Sequence, residues 1–388
     1  MRLGIAVLVL GYVLSQFYRA FLAVLSPMLA DIGAGAGALS QASGAWFLTF
    51  AVMQIPVGWA LDRIGPRLTA SVLLALGGGG GAALFAAAGA PWHITVAMGL
   101  IGIGCSPVLM AAYYILARGF PAVLFATFAA GIIGVGSLGN LAGTAPLAMA
   151  AEVFGWRSTV LAVAVLTLAV AALVFLFVKD PPRAEGAGTG SLFDLLRMRA
   201  LWPIMALMFV SYAPPAGIRG LWAGPYFADV FGADAAGVGR ATLVMAVAMI
   251  LGNFAYGPLD RLLGTRKWVN LGGNLVVAAA LFALWAAPAA GAGQAMALLA
   301  VLGFFGASFG MIMAHGRALF PAHLAGRGVT LLNLFGIGGV GLFQVASGRL
   351  HAAVGGPPEA AFGMLFLFFA LALTAGCVVY LWSQDRTD

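Results

Sequence analysis

Apolar residues run on in long blocks separated by short polar breaks. The blocks fall at about 4–30, 41–61, 67–89, 93–117, 121–148, 156–178, 201–228, 236–258, 268–288, 292–316, 324–350 and 360–383. Most exceed the roughly 20 residues that span a bilayer as helix. The pattern therefore predicts an all-α membrane protein with twelve transmembrane helices. The first block, behind Arg2, lacks a small-x-small cleavage site and is followed by eleven more, so it reads as a span and not as a cleaved signal.

Composition agrees. Hydrophobic residues make up 63% of the 388 positions and charged residues 8%, with a mean hydropathy of +1.04. Soluble domains carry about 25% charged residues. The 55 glycines suit helices that approach closely in lipid. Cys105 and Cys377 lie in apolar blocks and offer neither metal spacing nor a disulfide framework. The net charge of +7 does not point to nucleic acid, because the basic residues sit in the short breaks.

Those breaks also give an orientation. An even number of spans puts both termini on one side. Fourteen of the nineteen basic residues fall on that side, and only Arg157, Arg240 and Arg349 near the other, leaving Arg19 and Arg219 within spans. The positive-inside rule makes the first side cytoplasmic. The expected location is a bacterial inner membrane. The longest polar connection, 179–199, separates an N-terminal six-helix bundle (1–178) from a C-terminal one (201–388). Within this linker (179–200), Leu192–Met198 reads as a short surface helix.

The two halves repeat each other. Pro27 to Asp31 matches Pro225 to Asp229. Gly58, Asp62, Arg63, Gly65 and Arg67 match Gly257, Asp260, Arg261, Gly264 and Arg266. Asp229 and Asp260 each lie 198 residues after their counterparts, and Arg118 to Pro121 matches Arg317 to Pro321. Two similar bundles can enclose a site at their interface and open it alternately by rocking.

The helix count, the central loop and these motifs resemble the major facilitator superfamily. Its loop between helices 2 and 3 reads G-x-x-x-D-R-x-G-R-R, met here by Gly58, Asp62, Arg63, Gly65 and Arg67, with Pro66 in place of one arginine. Phe154-Gly155-Trp156-Arg157 resembles the segment that opens helix 6 in that family. The resemblance implies two pseudo-symmetric six-helix bundles and secondary transport. Asp62, Arg63, Arg67, Asp260 and Arg261 are then gating residues: the aspartate accepts from helix-end N–H groups and pairs with arginine, latching one state.

Arg19 and Arg219 occupy roughly equivalent places in helices 1 and 7, while all twelve Asp and Glu fall at helix ends, in loops or in the tail. Arginine in a membrane demands a partner or a wet cavity. Its planar fork suits carboxylate, nitrate-like or phosphate-like oxygens. An anionic substrate, above all an organic carboxylate, is expected; snorkelling or binding to helix-end carbonyls is the alternative. Tyr12 and Gln16 share the Arg19 side of their helix, and Tyr212 shares the Arg219 face. Tyr113, Asn253 and Asn333 are further candidate contacts. Pro214-Pro215 should kink helix 7 near Arg219.

Other readings stay open. Glycine-rich pieces at 134–143 and 336–341 partly resemble nitrate/nitrite carriers, whose substrate arginines lie in helices 2 and 8, where this chain has none mid-helix. Close helix packing is the simpler account of these glycines. Met205 and Met208, with Met245 and Met249, suit either Cu(I) import or core filling. His315 suits either proton coupling or a buried structural role. A non-transporting assembly factor is a further alternative. No zinc spacing, nucleophile elbow or phosphate loop points to an enzyme or a cofactor. The expected partners are a small anionic solute, protons or a counter-anion, and the bilayer, with the protein acting as a monomer.

Overall fold

The computed structural model describes residues 2–119, 122–181, 195–320 and 325–386; side chains at 2, 62, 117–119, 122–130, 258, 260, 261, 325–327 and 329 are outside the description. The chain divides into two compact units, Met1–Gly186 and Ala187–Asp388. Among the described residues, eleven helices are long and apolar enough to cross a membrane, and a shorter apolar helix, Leu3–Phe17, precedes them. With its continuation Phe21–Leu25 it completes twelve passes. In hydrocarbon each backbone polar group must be satisfied within its own segment, so helix is the structure these blocks can adopt. Of the surface helix expected at Leu192–Met198, residues 192–194 lie outside the description; Leu195 and Leu196 are helical and Arg197 turns out of it.

The first unit runs Arg2–Phe17 and Phe21–Leu25 (pass 1), Ala36–Arg63 (pass 2), Pro66–Leu73 through Gly80–Ala86 (pass 3), Pro91–Gly119 (pass 4), Ala122–Ala142 with Ala145–Phe154 (pass 5) and Trp156–Phe177 (pass 6). The second runs Trp202–Ser211 through Ala223–Phe231 (pass 7), Ala235–Leu263 (pass 8), Lys267–Ala286 (pass 9), Ala292–Phe305 with Phe309–Arg317 (pass 10), Ala325–Ala353 (pass 11) and Pro358–Tyr380 (pass 12). Passes 1 and 7 close alike, on left-handed Gly33 (φ 73°) and Gly232 (φ 63°). Pro66, Pro91 and Pro358 open their helices, where a missing N–H costs nothing.

Several apolar blocks that read as single spans are interrupted. Pass 1 breaks at residues 18–20, pass 5 at 143–144, and pass 10 has a tight turn at Gly306–Ser308. Passes 3 and 7 each contain a widened π-turn, Leu74–Gly79 and Ile218–Trp222. Hydrophobicity does not register such breaks, because they change the hydrogen-bond ladder and not the polarity of the side chains.

Glycine sets the packing within each unit, and it does so twice. A Cβ on Gly139 of pass 5 would strike the Val13 carbonyl of pass 1. A Cβ on Gly339 of pass 11 would strike the Phe209 carbonyl of pass 7. Both helix pairs therefore meet backbone to backbone, where dispersion holds helices together in the absence of a hydrophobic drive. The glycine-rich stretches expected to mediate close packing do so at these contacts.

A second repeated device joins the end of each sixth helix to the start of each third. In the first unit, the backbone N–H of Arg67 donates to Asp180 Oδ1 (2.8 Å), and Arg67 Nε donates to the Phe175 carbonyl (2.6 Å). Gly65 (φ 105°) admits this carboxylate: a Cβ there would lie 2.7 Å from the Asp180 carboxyl carbon. In the second unit, Asp385 Oδ1 accepts from the backbone N–H groups of Arg266 (3.1 Å) and Lys267 (3.0 Å), and Thr265 Oγ1 donates to Oδ2. Lys267 Nζ reaches back to the carbonyls of Leu381 (2.6 Å) and Ser383 (2.8 Å). A carboxylate at a helix N-terminus meets unsatisfied N–H groups and the positive end of the dipole.

Partial burial pushes the Asp385 carboxyl up, but the bonds from Thr265, Lys267 and Arg266 outweigh it and hold it below the usual carboxylate value. A depressed acid stabilises the fold above its unfolded pKa and loses that contribution as pH falls through its folded one. Asp385→Asn should therefore lower the melting temperature at neutral pH by the worth of a helix cap, about 1 kcal/mol. The difference from wild type should shrink as pH falls below about 4. Melting curves of both proteins in detergent, across pH, check this.

Candidate functional site

Arg19 sits in the break of pass 1, between Phe17 and Phe21. Its guanidinium carbon lies 5.2 Å from the Trp46 ring centre and 5.2 Å from that of Phe50. These two rings, one helical turn apart on pass 2, are stacked at 5.1 Å and 19°. The charge is thus seated on aromatic faces, whose quadrupoles attract a cation. Neither Arg19 Nε nor Trp46 Nε1 has a hydrogen-bond partner among the described residues, although both atoms are buried. The platform leaves the edge of the guanidinium fork unspent.

Tyr12 and Gln16, placed beside Arg19 by helical spacing, are joined: Gln16 Nε2 donates to the Tyr12 hydroxyl (3.1 Å). Gln16 Oε1 is buried without a partner among the described residues. The Tyr12 ring fills the space beside Gly136 of pass 5, which a Cβ would occupy. Tyr113 of pass 4 is half-buried in the same unit. Trp46 and Phe50 were not legible as site residues. The available signal was indirect: an arginine with no acid in its membrane plane must find either an anion or an aromatic face.

Arg219 is 2% exposed and lies inside the π-turn of pass 7, all five residues of which are buried. The neighbouring Trp222 Nε1 donates to Ser347 Oγ of pass 11 (2.9 Å). The helix is also interrupted at Tyr212, just ahead of Pro214-Pro215, as the proline pair leads one to expect. Tyr212 packs at a tilt against Phe309 (ring centres 5.0 Å apart). Asn253 is exposed and donates to the Met249 carbonyl of its own helix (2.9 Å), and Asn333 is half-buried. Within its own unit, each arginine of the pair occupies an interruption of the first helix.

The loop residues are placed less completely. Arg67 is engaged with pass 6, and its guanidinium lies 4.3 Å from the Phe175 ring centre. Arg63 is exposed at the end of pass 2. The side chains of Asp62, Asp260 and Arg261 lie outside the described ones. At the helix starts that follow these loops, the carboxylates on the N–H groups are Asp180 and Asp385, which the motif did not single out. Asp31, a marker of the repeat, accepts from Arg157 Nη1 (3.3 Å), whose Nη2 donates to the Ala88 carbonyl (2.8 Å).

The methionines pack in different directions. Met245 and Met249 lie against Gly303 of pass 10, and Met208 against Gly336 of pass 11. Met205 is also buried. That geometry favours core filling. No cluster of three or more His, Cys, Asp or Glu suited to a metal occurs among the described residues.

His315 is fully buried, with both ring nitrogens engaged: Nε2 with the Gln384 carbonyl (2.7 Å) and Nδ1 with the Tyr380 hydroxyl (2.5 Å). A carbonyl can only accept, so Nε2 carries a proton, while Nδ1 and the Tyr380 hydroxyl share the second bond. The Tyr380 oxygen in turn accepts from Asn270 Nδ2 (3.2 Å). His315 thus ties passes 9, 10 and 12 to the tail, and this supports the structural reading of the residue. His315→Phe should strip partners from Tyr380 and Gln384 and destabilise the protein by about 1–3 kcal/mol. A drop in melting temperature together with faster proteolysis at the C-terminal tail is the readout.

Comparison with known proteins bears on the whole arrangement. The sequence model described as Major Facilitator Superfamily matches residues 8–214, more than half of the chain. No protein of curated function matches by sequence. Among solved structures, a bacterial homologue of the human lysosomal transporter Spinster, inward-facing and occupied, is 18% identical with a TM-score of 0.74, covering 97% of this chain and 95% of its own. The nucleoside transporter NupG is 14% identical with a TM-score of 0.76, at 98% and 99% coverage. A D-xylose–proton symporter is 16% identical with a TM-score of 0.73, at 95% and 96%. These identities establish a shared fold.

Proposed function

The chain belongs to the Major Facilitator Superfamily, and from that premise we propose that it is an alternating-access secondary transporter of a small anionic solute, with organic carboxylates as the favoured class. The observation that carries the reading is Arg19. Its guanidinium is held by Trp46 and Phe50 and by no carboxylate or hydrogen-bond acceptor among the described residues. A cation within a membrane span, half-buried as Arg19 is, is costly without a counter-charge. The aromatic platform offsets part of that cost and fixes the plane of the fork, leaving its edge for two parallel bonds to a carboxylate. The buried Trp46 N–H supplies a third donor. Arg219, buried in the interrupted first helix of the other unit, offers a second cation of the same kind.

The membrane is the bacterial inner membrane with both termini cytoplasmic, as the distribution of basic residues favours. Transport is by proton-coupled uptake or by anion exchange. The structural neighbours include a nucleoside transporter and a xylose–proton symporter, so the fold itself serves neutral solutes too. It is the arginines that favour an anion.

The test is uptake and counterflow in proteoliposomes with a panel of labelled small anions. Arg19→Ala and Arg219→Ala should abolish transport of any anion moved by wild type while remaining folded. Arg19→Lys, which keeps the charge and loses the fork, should lower affinity about ten- to a hundredfold. Trp46→Phe keeps the stack and removes the N–H, so it should weaken binding without lowering the melting temperature. Anion transport that survives both alanine variants removes the proposal. So does wild type moving only neutral solutes or Cu(I).

A further inference from the structure

Pass 11 carries a glutamine, Gln344, with 0% exposure. Neither its amide nitrogen nor its amide oxygen has a hydrogen-bond partner among the described residues. It faces Gly217 of pass 7: a Cβ on that glycine would lie 3.1 Å from Gln344 Nε2 and 3.5 Å from Phe369 Cζ. The backbone carbonyl of Gln344 accepts from Ser347 Oγ (2.9 Å), the same hydroxyl that receives the Trp222 indole N–H. Gly217 precedes the π-turn that holds Arg219, and Trp222 is its last residue. Gln344 therefore stands against the same stretch of pass 7 as the buried cation.

A primary amide offers two donors and two lone pairs. Burying it unspent forfeits its hydration with nothing in return, and interiors rarely retain such a group without a use for it. Methionine or leucine would fill the same space more favourably. The segment covering the amide, Ala213–Gly217, is only five residues long, with an interruption before it and the π-turn after it. A small shift of this segment uncovers Nε2 without breaking a regular helix.

We propose that Gln344 is a solute-binding residue that reads a group able both to donate and to accept a hydrogen bond, and that the transported anion is accordingly a hydroxylated carboxylate. This rests on the anion reading above and adds a hydroxyl to it. Gln344 was not legible as a site residue in the sequence, where it is one polar position in a long apolar block.

The test uses the purified full-length protein and two pairs of probes that differ by one hydroxyl, lactate with propionate and malate with succinate. Wild type should favour the hydroxylated member of at least one pair. In Gln344→Met that preference should fall about tenfold, one hydrogen bond's worth. Without solute, the same variant should melt at or above the wild-type temperature, because it buries no idle amide. Binding of succinate or propionate that is lost in Arg19→Ala reads the anion proposal separately. If wild type shows no hydroxyl preference, if the preference survives in Gln344→Met, or if that variant melts below wild type, the assignment of Gln344 is overturned, even where the arginine dependence stands. A lower melting temperature would mean that the amide serves the fold, for instance through buried water.

Discussion

Hydrocarbon solvates no backbone N–H or carbonyl, and every feature of this protein answers to that constraint. Each apolar block must close its own hydrogen-bond ladder, so the blocks become helices. A ladder can open only where protein covers the opening. The interruptions at residues 18–20 and at Ile218–Trp222 meet that condition, because the residues around them are largely buried. The chain accepts irregular backbone at those points, and it places its two membrane arginines there. Local weakness in the helix and local charge coincide, and that coincidence marks the candidate site.

Charge inside a low-dielectric unit imposes the next condition. Arg19 meets it with two aromatic faces in place of a carboxylate. The choice has a chemical consequence. A carboxylate partner would neutralise the guanidinium and spend its fork, whereas a ring leaves the fork's edge available while still lowering the cost of burial. Gln16, Trp46 and Gln344 follow the same logic with neutral groups, each keeping at least one buried polar atom uncommitted among the described residues. Other polar groups are committed to the fold. His315, Tyr380 and Asn270 are engaged in a chain of hydrogen bonds, and Asp180 and Asp385 cap helix starts. Uncommitted buried atoms also occur at Thr69, Asn270 and Asn274; those of Gln16, Trp46 and Gln344 differ in accompanying a membrane arginine.

Duplication explains why the two units share their joints. The fifth helix meets the first at Gly139 and the eleventh meets the seventh at Gly339, each pressing on a carbonyl. A carboxylate beyond the sixth helix and another beyond the twelfth cap the third and ninth. These contacts bind helices that are distant in sequence, so each unit holds its shape while its first helix keeps its interruption.

Much of this was legible in the chain. Twelve passes, the repeat, the family resemblance and the two membrane arginines all follow from one-dimensional features: block length, spacing of motifs, and the absence of acids from the spans. Membrane solvent makes such features decisive, since it forces helix on any long apolar block. What stayed hidden depended on which helices touch. No spacing rule brings Trp46 and Phe50 under Arg19, Asp180 to Gly65, Asp385 to Lys267, or Gln344 to Gly217. The same holds for the methionine pairs, whose separation by three or four residues fits a metal site as well as a core, and only their contacts with Gly303 and Gly336 distinguish the two. Sequence determined that a charge lies in the membrane; tertiary structure decided what seats it, because the partners of a buried group are set by packing between helices and not by the order of residues along one.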